Sequence, residues 1–159
     1  MGRVLGVDFG LKRVGAALSD PRRVIATPLE IYERRDPNRD ARHYRDLVEA
    51  EDVRSLVVGL PLHTGGGEGD LAKLARAWGA WLARETNLPV TFFDERYTSV
   101  GADHLMRAHG LKLRDRKARR DMLAAQILLQ NFLDAGCPEV EAPAAPLADP
   151  EFRDEPESS

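Results

Sequence analysis

The chain has 159 residues, 43% of them apolar and 31% charged, enough for one domain with its own core. Its apolar stretches fall far short of the roughly 20 residues that a membrane span requires, and it opens on a strand pattern with no secretory h-region, so a cytoplasmic protein with no membrane partner is expected. Cys137 is the only cysteine, and the four histidines (His43, His63, His104 and His109) lack ligand spacing, which excludes a disulfide framework and a Cys-based zinc site.

The formal charge of −3 is unevenly divided. From Gly136 to Ser159, seven acids (Glu139, Glu141, Asp149, Glu151, Asp154, Glu155 and Glu157) face only Arg153, a balance of −6 that leaves the other 135 residues at +3. Half of the ten prolines also lie in that tail. Residues 1–135 are therefore expected to form the folded domain and 136–159 an acidic, Pro-rich, disordered tail.

In chain order, Val4 to Phe9 and Val14 to Leu18 are apolar runs flanking Gly10-Leu11-Lys12-Arg13, and they read as a hairpin buried on both faces. One ionisable residue, Asp8, is set into the first run. Burying a carboxylate costs several kcal/mol unless it is paired or holds a metal. Either it caps the turn through the amides of Gly10 or Leu11, or it serves a ligand to which Gly6 and Gly10 give room. Val24 to Ile31 reads as an edge strand interrupted at Pro28. Asp36-Pro37 opens a helix to about residue 51. Leu56 to Gly59 reads as a doubly covered parallel strand ending in a glycine-rich loop, His63 to Gly69, which lacks the Gly-Lys-Ser/Thr of a Walker loop. Asp70 is expected to cap a helix whose stripe of Leu71, Leu74, Ala75, Trp78, Trp81 and Leu82 is core. Asn87-Leu88-Pro89 stops it, Val90 to Asp94 forms the last strand, and Thr98 or Ser99 caps a helix that ends at Gly110.

The segment that follows carries Lys112, Arg114, Arg116, Lys117, Arg119 and Arg120 against one acid, Asp115. That density suits contact with phosphates. A last helix, from about residue 118 to 134, places Asp121 one turn before Ala125 at the head of its apolar stripe. The element order predicts an α/β fold: a mixed five-stranded sheet, its first three strands antiparallel, the fourth and fifth parallel to the first, with helices on both faces. Asp8, one of the adjacent pair Asp94 and Glu95, and Asp121 can then converge on one edge. Side-chain alternation permits only one of that pair to share the face of Asp8 and does not say which. Three carboxylates suit hard divalent cations, and two Mg²⁺ or Mn²⁺ ions suit phosphodiester hydrolysis. Lys12, Arg13 or Arg96 would offset transition-state charge, and the basic segment would hold the substrate backbone.

The segments VDFGLKRVGAALSDP, VVGLPLHTGGGEG, DERYTS and RKARRDMLAAQILLQNFLD resemble, in this order and spacing, the YqgF family of ribonuclease H-like proteins, relatives of the RuvC Holliday junction resolvases. The resemblance spans roughly residues 2 to 135. It implies a ribonuclease H-like fold and a nuclease that trims the 5′ end of precursor 16S ribosomal RNA. By position it puts the acidic triad, as catalytic and metal-binding groups, on Asp8, Glu95 and Asp121. The substrate-binding set expected beside that triad is Lys12, Arg13, Arg96, Thr98, Lys112, Arg114, Arg116, Lys117 and Arg119. The implied partner is nucleic acid, either precursor rRNA in ribosomal precursor particles or branched DNA, bound by a monomer or homodimer. A non-catalytic RNA-binding protein is a further alternative. Asp-x-Gly after a first strand also opens sugar kinases and actin-like ATPases, but those need two such domains.

Overall fold

The structure, a computed structural model, describes residues 2–61, 69–95 and 117–138, the first six of the last stretch as backbone only. The glycine-rich loop up to Glu68, the helix expected over 98–110 and the tail from 139 onward lie outside the described residues. Strand β1 (Arg3–Asp8) pairs antiparallel with β2 (Arg13–Ser19), Leu5 opposite Leu18 and Asp8 opposite Gly15. Both strands are buried on both faces, as their unbroken apolar runs require. Strand β3 (Ala26–Glu33) forms the edge beside β2 and begins two residues later than expected. Val24 and Ile25 are exposed instead, because the Asp20 carboxylate accepts hydrogen bonds from both of their amides, at 2.7 and 2.8 Å, and folds them into a turn. Pro28 lies opposite Ala17 where the register shifts, a position at which a missing amide disturbs the ladder little.

Helix α1 (Pro37–Ala50) starts as expected: Asp36 accepts from the Arg39 amide at 2.9 Å and Pro37 takes the first turn. Strand β4 (Val53–Leu60) returns parallel to β1, with Leu56 beside Leu5 and Val58 beside Val7. Helix α2 (Asp70–Thr86) departs from the expectation in two ways. Gly69 holds the cap position and Asp70 is the first helical residue, where its charge meets the helix dipole without a capping bond. Leu71 and Leu74 are 43% and 46% exposed, and the buried line is Ala72, Ala75, Trp78, Gly79 and Leu82. The apolar stripe of α2 is wider than the sheet can cover. Asn87, with φ of 60°, ends the helix, and β5 (Val90–Asp94) runs parallel to β4, giving the sheet order β3-β2-β1-β4-β5. The last helix, α3 (Lys117–Asp134), crosses the opposite face.

Two cores result. Under α1 and α2 lie Leu5, Val7, Leu56 and Val58, closed by Tyr44 edge-on to Trp78 at 5.7 Å. Under α3 lie Val4, Ala17 and Val57, covered by Ala125, Leu129 and Phe132. A side chain on Gly6 would stand 2.8 Å from the Leu129 Cβ, so the room that this glycine leaves is taken by the helix and not by a ligand. Gln126 donates to the Ala26 carbonyl at 3.0 Å, and Gln130 accepts from the Ala26 amide at 3.0 Å and donates to the Val24 carbonyl at 2.9 Å. From Gln126 to Gln130 these partners step backward along the chain, so α3 runs against β3 and hence against β1. Its first turn lies toward the edge where β1 ends in Asp8.

Candidate active site

Strands β1, β4 and β5 are parallel and finish on the same edge, where α/β sheets place their ligands. Val7 stands beside Val58, so Asp8 comes level with Gly59, and Gly59 in turn pairs with Phe93. One step further the Glu95 amide donates to the Leu60 carbonyl at 3.1 Å, continuing the ladder. Alternation then assigns faces. Val4 and Gly6 meet α3, so Asp8 lies on the α3 side. Phe93 packs edge-on against Phe132 of α3 at 5.5 Å, whereas Phe92 belongs to the core under α2. Glu95 follows the parity of Phe93 and Asp94 that of Phe92, so Glu95 shares the face of Asp8.

The Asp8 and Glu95 carboxyls are hydrogen-bonded to each other. Although Glu95 as a residue is exposed, its carboxyl end turns inward against Gly59, and a Cβ at position 59 would overlap it. Burial first, then the bond to Asp8 and the charges of Asp8 and Asp94, push the Glu95 carboxyl up to about 8 from 4.5. Two carboxylates this close repel each other when both are ionised, a repulsion that a shared proton or a divalent cation between them relieves. Gly59 was missed as a site residue by sequence reasoning; its only signal there is its place at the end of an apolar strand. Asp121 occupies a position in the first turns of α3, one turn before the buried Ala125, and its side chain lies outside the described residues. Among the described residues there is no group of three metal-ligating side chains.

The predicted basic residues divide. Arg13 opens β2 with the parity of Gly15, which pairs with Asp8, and so shares the carboxylate face. Lys12 instead lines a groove on the α1–α2 side. Lys117 and Arg119 fall in the first turn of α3, their side chains outside the described residues, and Arg96, Thr98, Lys112, Arg114 and Arg116 lie outside them altogether. No helix among the described residues is long and apolar enough to cross a membrane.

This sheet order, with a helix laid against the strand ends that carry the acids, is the ribonuclease H-like fold. Thermus thermophilus RuvC in complex with a Holliday junction substrate shares it at a TM-score of 0.55 and 15% identity, over 86% of this chain and 97% of that one. The fowlpox virus resolvase in complex with its junction DNA follows at a TM-score of 0.50 and 10% identity, over 86% and 99%. At these identities the likeness is one of fold. The family RuvX, described as Holliday junction resolvase, matches residues 2–135, and the chain belongs to it. Among curated relatives, a protein of Rhodopirellula baltica is 42% identical over 84% of this chain and 78% of its own length. One of Koribacter versatilis is 38% identical over 84% and 87%. Both are named "Putative pre-16S rRNA nuclease".

Proposed function

We propose that the chain is a divalent-metal-dependent nuclease that hydrolyses phosphodiester bonds of structured RNA and processes the 5′ end of precursor 16S rRNA in the cytoplasm. The observation that carries this reading is the Asp8–Glu95 carboxyl pair on one face of one sheet edge, seated against Gly59 on the side that α3 packs. The names of the relatives supply the substrate. Asp8 and Glu95 would hold Mg²⁺ or Mn²⁺, with Asp121 as the third ligand. Two such ions, when bound, supply an activated water and stabilise the departing oxygen.

The chain's own residues do the positioning. Gly59 leaves the space into which the Glu95 carboxyl fits, and the alternation of β1 and β5 aims both acids at one point. Partial burial of the Glu95 carboxyl against Gly59 lowers the local dielectric around the pair and strengthens its pull on a cation. Arg13, on the same face, is placed to meet the charge that develops on the scissile phosphate. The basic residues of 112–119 with Arg96 and Thr98 hold the backbone on either side. The family match stops at 135, which supports reading 1–135 as the nuclease domain and 136–159 as a tail apart from it.

The test incubates precursor 16S rRNA and Mg²⁺ with the protein and with its Asp8→Asn form. The native chain is expected to cleave, and the variant to lose several kcal/mol of transition-state stabilisation, a loss of about a hundredfold or more. Equal cleavage by both removes the proposal. The family description favours a second substrate, branched DNA. Symmetric cutting of a four-way junction requires a two-fold dimer, so a dimer that cuts junctions and spares the precursor would establish resolution instead.

A further inference from the structure

On the side of the sheet away from the carboxylates, the same edge carries an open groove of about 1100 Å³. Its floor is aromatic: Phe9 lies 5.3 Å from Trp78, and Trp78 lies 6.1 Å from Trp81. Its rim is basic, with Lys12, Arg34, Arg35 and Arg84. Arg34 donates to the carbonyls of Gly10 and Leu11 at 3.2 and 3.1 Å, with its guanidinium 5.0 Å from the centre of the Phe9 ring. Neutral groups thus place this cation, and among the described residues no carboxylate pairs with it. Two of the three acids along the groove are engaged. Asp40 accepts from the Tyr32 hydroxyl at 2.6 Å and the Arg35 amide at 3.0 Å, and Glu85 pairs with Arg45 at 2.8 Å, leaving Glu33 at the rim.

Phe9 follows Asp8 directly, and consecutive side chains leave a strand on opposite faces. The groove and the carboxylates therefore back onto each other across one strand, so a chain crossing this edge would touch both. At about 1100 Å³ the space exceeds the range of roughly 300–1,000 Å³ usual for small-ligand pockets. Aromatic rings between cations reward unstacked bases, which a paired duplex does not offer.

We propose that the groove receives the unpaired, single-stranded RNA that continues from the scissile phosphate. Its phosphates lie against Lys12, Arg35 and Arg84, and its bases against Trp81 and the Arg34–Phe9 stack. This rests on the nuclease reading above, and the test separates the two. Fluorescence anisotropy would compare hairpin RNAs with one common stem, one blunt and the others carrying a single-stranded tail on either end, on native protein and on an Arg35→Glu/Arg84→Glu double variant whose thermal unfolding is checked alongside. Trp81→Ala serves as the second variant.

Native protein is expected to bind one tailed hairpin about tenfold or more tighter than the blunt one. The double variant loses that preference, with a salt slope lower by about two. Trp81→Ala loses it without a change of slope. A preference that survives in all the variants, or native binding that ignores the tail, overturns the groove assignment and leaves the nuclease reading standing. Native protein that binds no RNA sinks both. A peptide of residues 139–159 that competes with RNA on native protein but not on the double variant would give the groove to the chain's own acidic tail and overturn the proposal.

Discussion

The two faces of the sheet are built on different terms. Beneath α1 and α2 the contacts are large and apolar: Tyr44, Trp78, Leu5 and Leu82 fill the space, and non-directional burial holds it. Beneath α3, Gly6, Ala17 and Ala125 let the helix approach closely among Val57, Leu129 and Phe132, and of the buried polar groups among the described residues Ser19, Gln126, Gln130 and Asn131 belong to that side, against Asp40 alone on α1. Ser19 accepts from the Val4 amide at 2.8 Å, and the two glutamines bond the backbone around Ala26. Hydrogen bonds fail within a fraction of an ångström, whereas apolar packing tolerates sliding. The face that must bring carboxylates together is thus located by directional bonds and close approach. The other face supplies bulk stability.

Substitutions can break that contrast. Leu82→Ala, in the thick core, is expected to cost about 2–5 kcal/mol in urea unfolding, with cleavage per folded molecule unchanged. If its activity fell further than its folded fraction, the two faces would not be separable. Gly6→Ala pushes against the Leu129 Cβ, which cannot yield without moving α3, so a loss of about 1–3 kcal/mol is expected together with lower activity in the molecules still folded. Gly59→Ala meets only the flexible end of Glu95. Its loss of stability should be smaller than that of Gly6→Ala, because a side chain and not a helix must move, while Mn²⁺ affinity, read by calorimetry, drops about tenfold.

The smallest expected effect is one of pH. The Glu95 carboxyl is raised from 4.5 to about 8, so between those values the folded protein keeps a proton that the unfolded chain has released. The stability this confers is complete below about 4.5 and lost as pH rises through about 8. Partial exposure of the residue screens the effect. Urea midpoints of metal-free protein should therefore decline gently across this window, Glu95→Gln should flatten the decline, and Mn²⁺ should reverse it. A midpoint that climbs with pH in native metal-free protein would contradict the shared proton.

Much of the fold is legible in the residues because its signals are local. The unbroken runs of β1 and β2 announce doubly covered strands, and Asp36-Pro37 announces α1, because a cap and a rigid φ act within one turn. The width of the α2 stripe misleads: Leu71 and Leu74 obey helical spacing, yet they lie beside, not on, the buried line of Ala72, Ala75, Trp78, Gly79 and Leu82 and stay exposed. Val24 and Ile25 read as strand until the Asp20 carboxylate claims their amides. In the candidate site, the oddity of Asp8 among apolar neighbours is visible at once. The choice between Asp94 and Glu95 is not, since parity becomes informative only when the opposite partners of Phe92 and Phe93 are known.

By itself the sequence determined where most of the described strands and helices run, and that Asp8 stands where burial penalises it, since hydrophobic period, capping chemistry and desolvation cost are properties of near neighbours along the chain. Tertiary structure decided which carboxyls meet, which glycine makes room for them and which cations face the other way. Those outcomes depend on register between strands and on the approach of a helix from more than a hundred residues away, distances over which no local periodicity carries information.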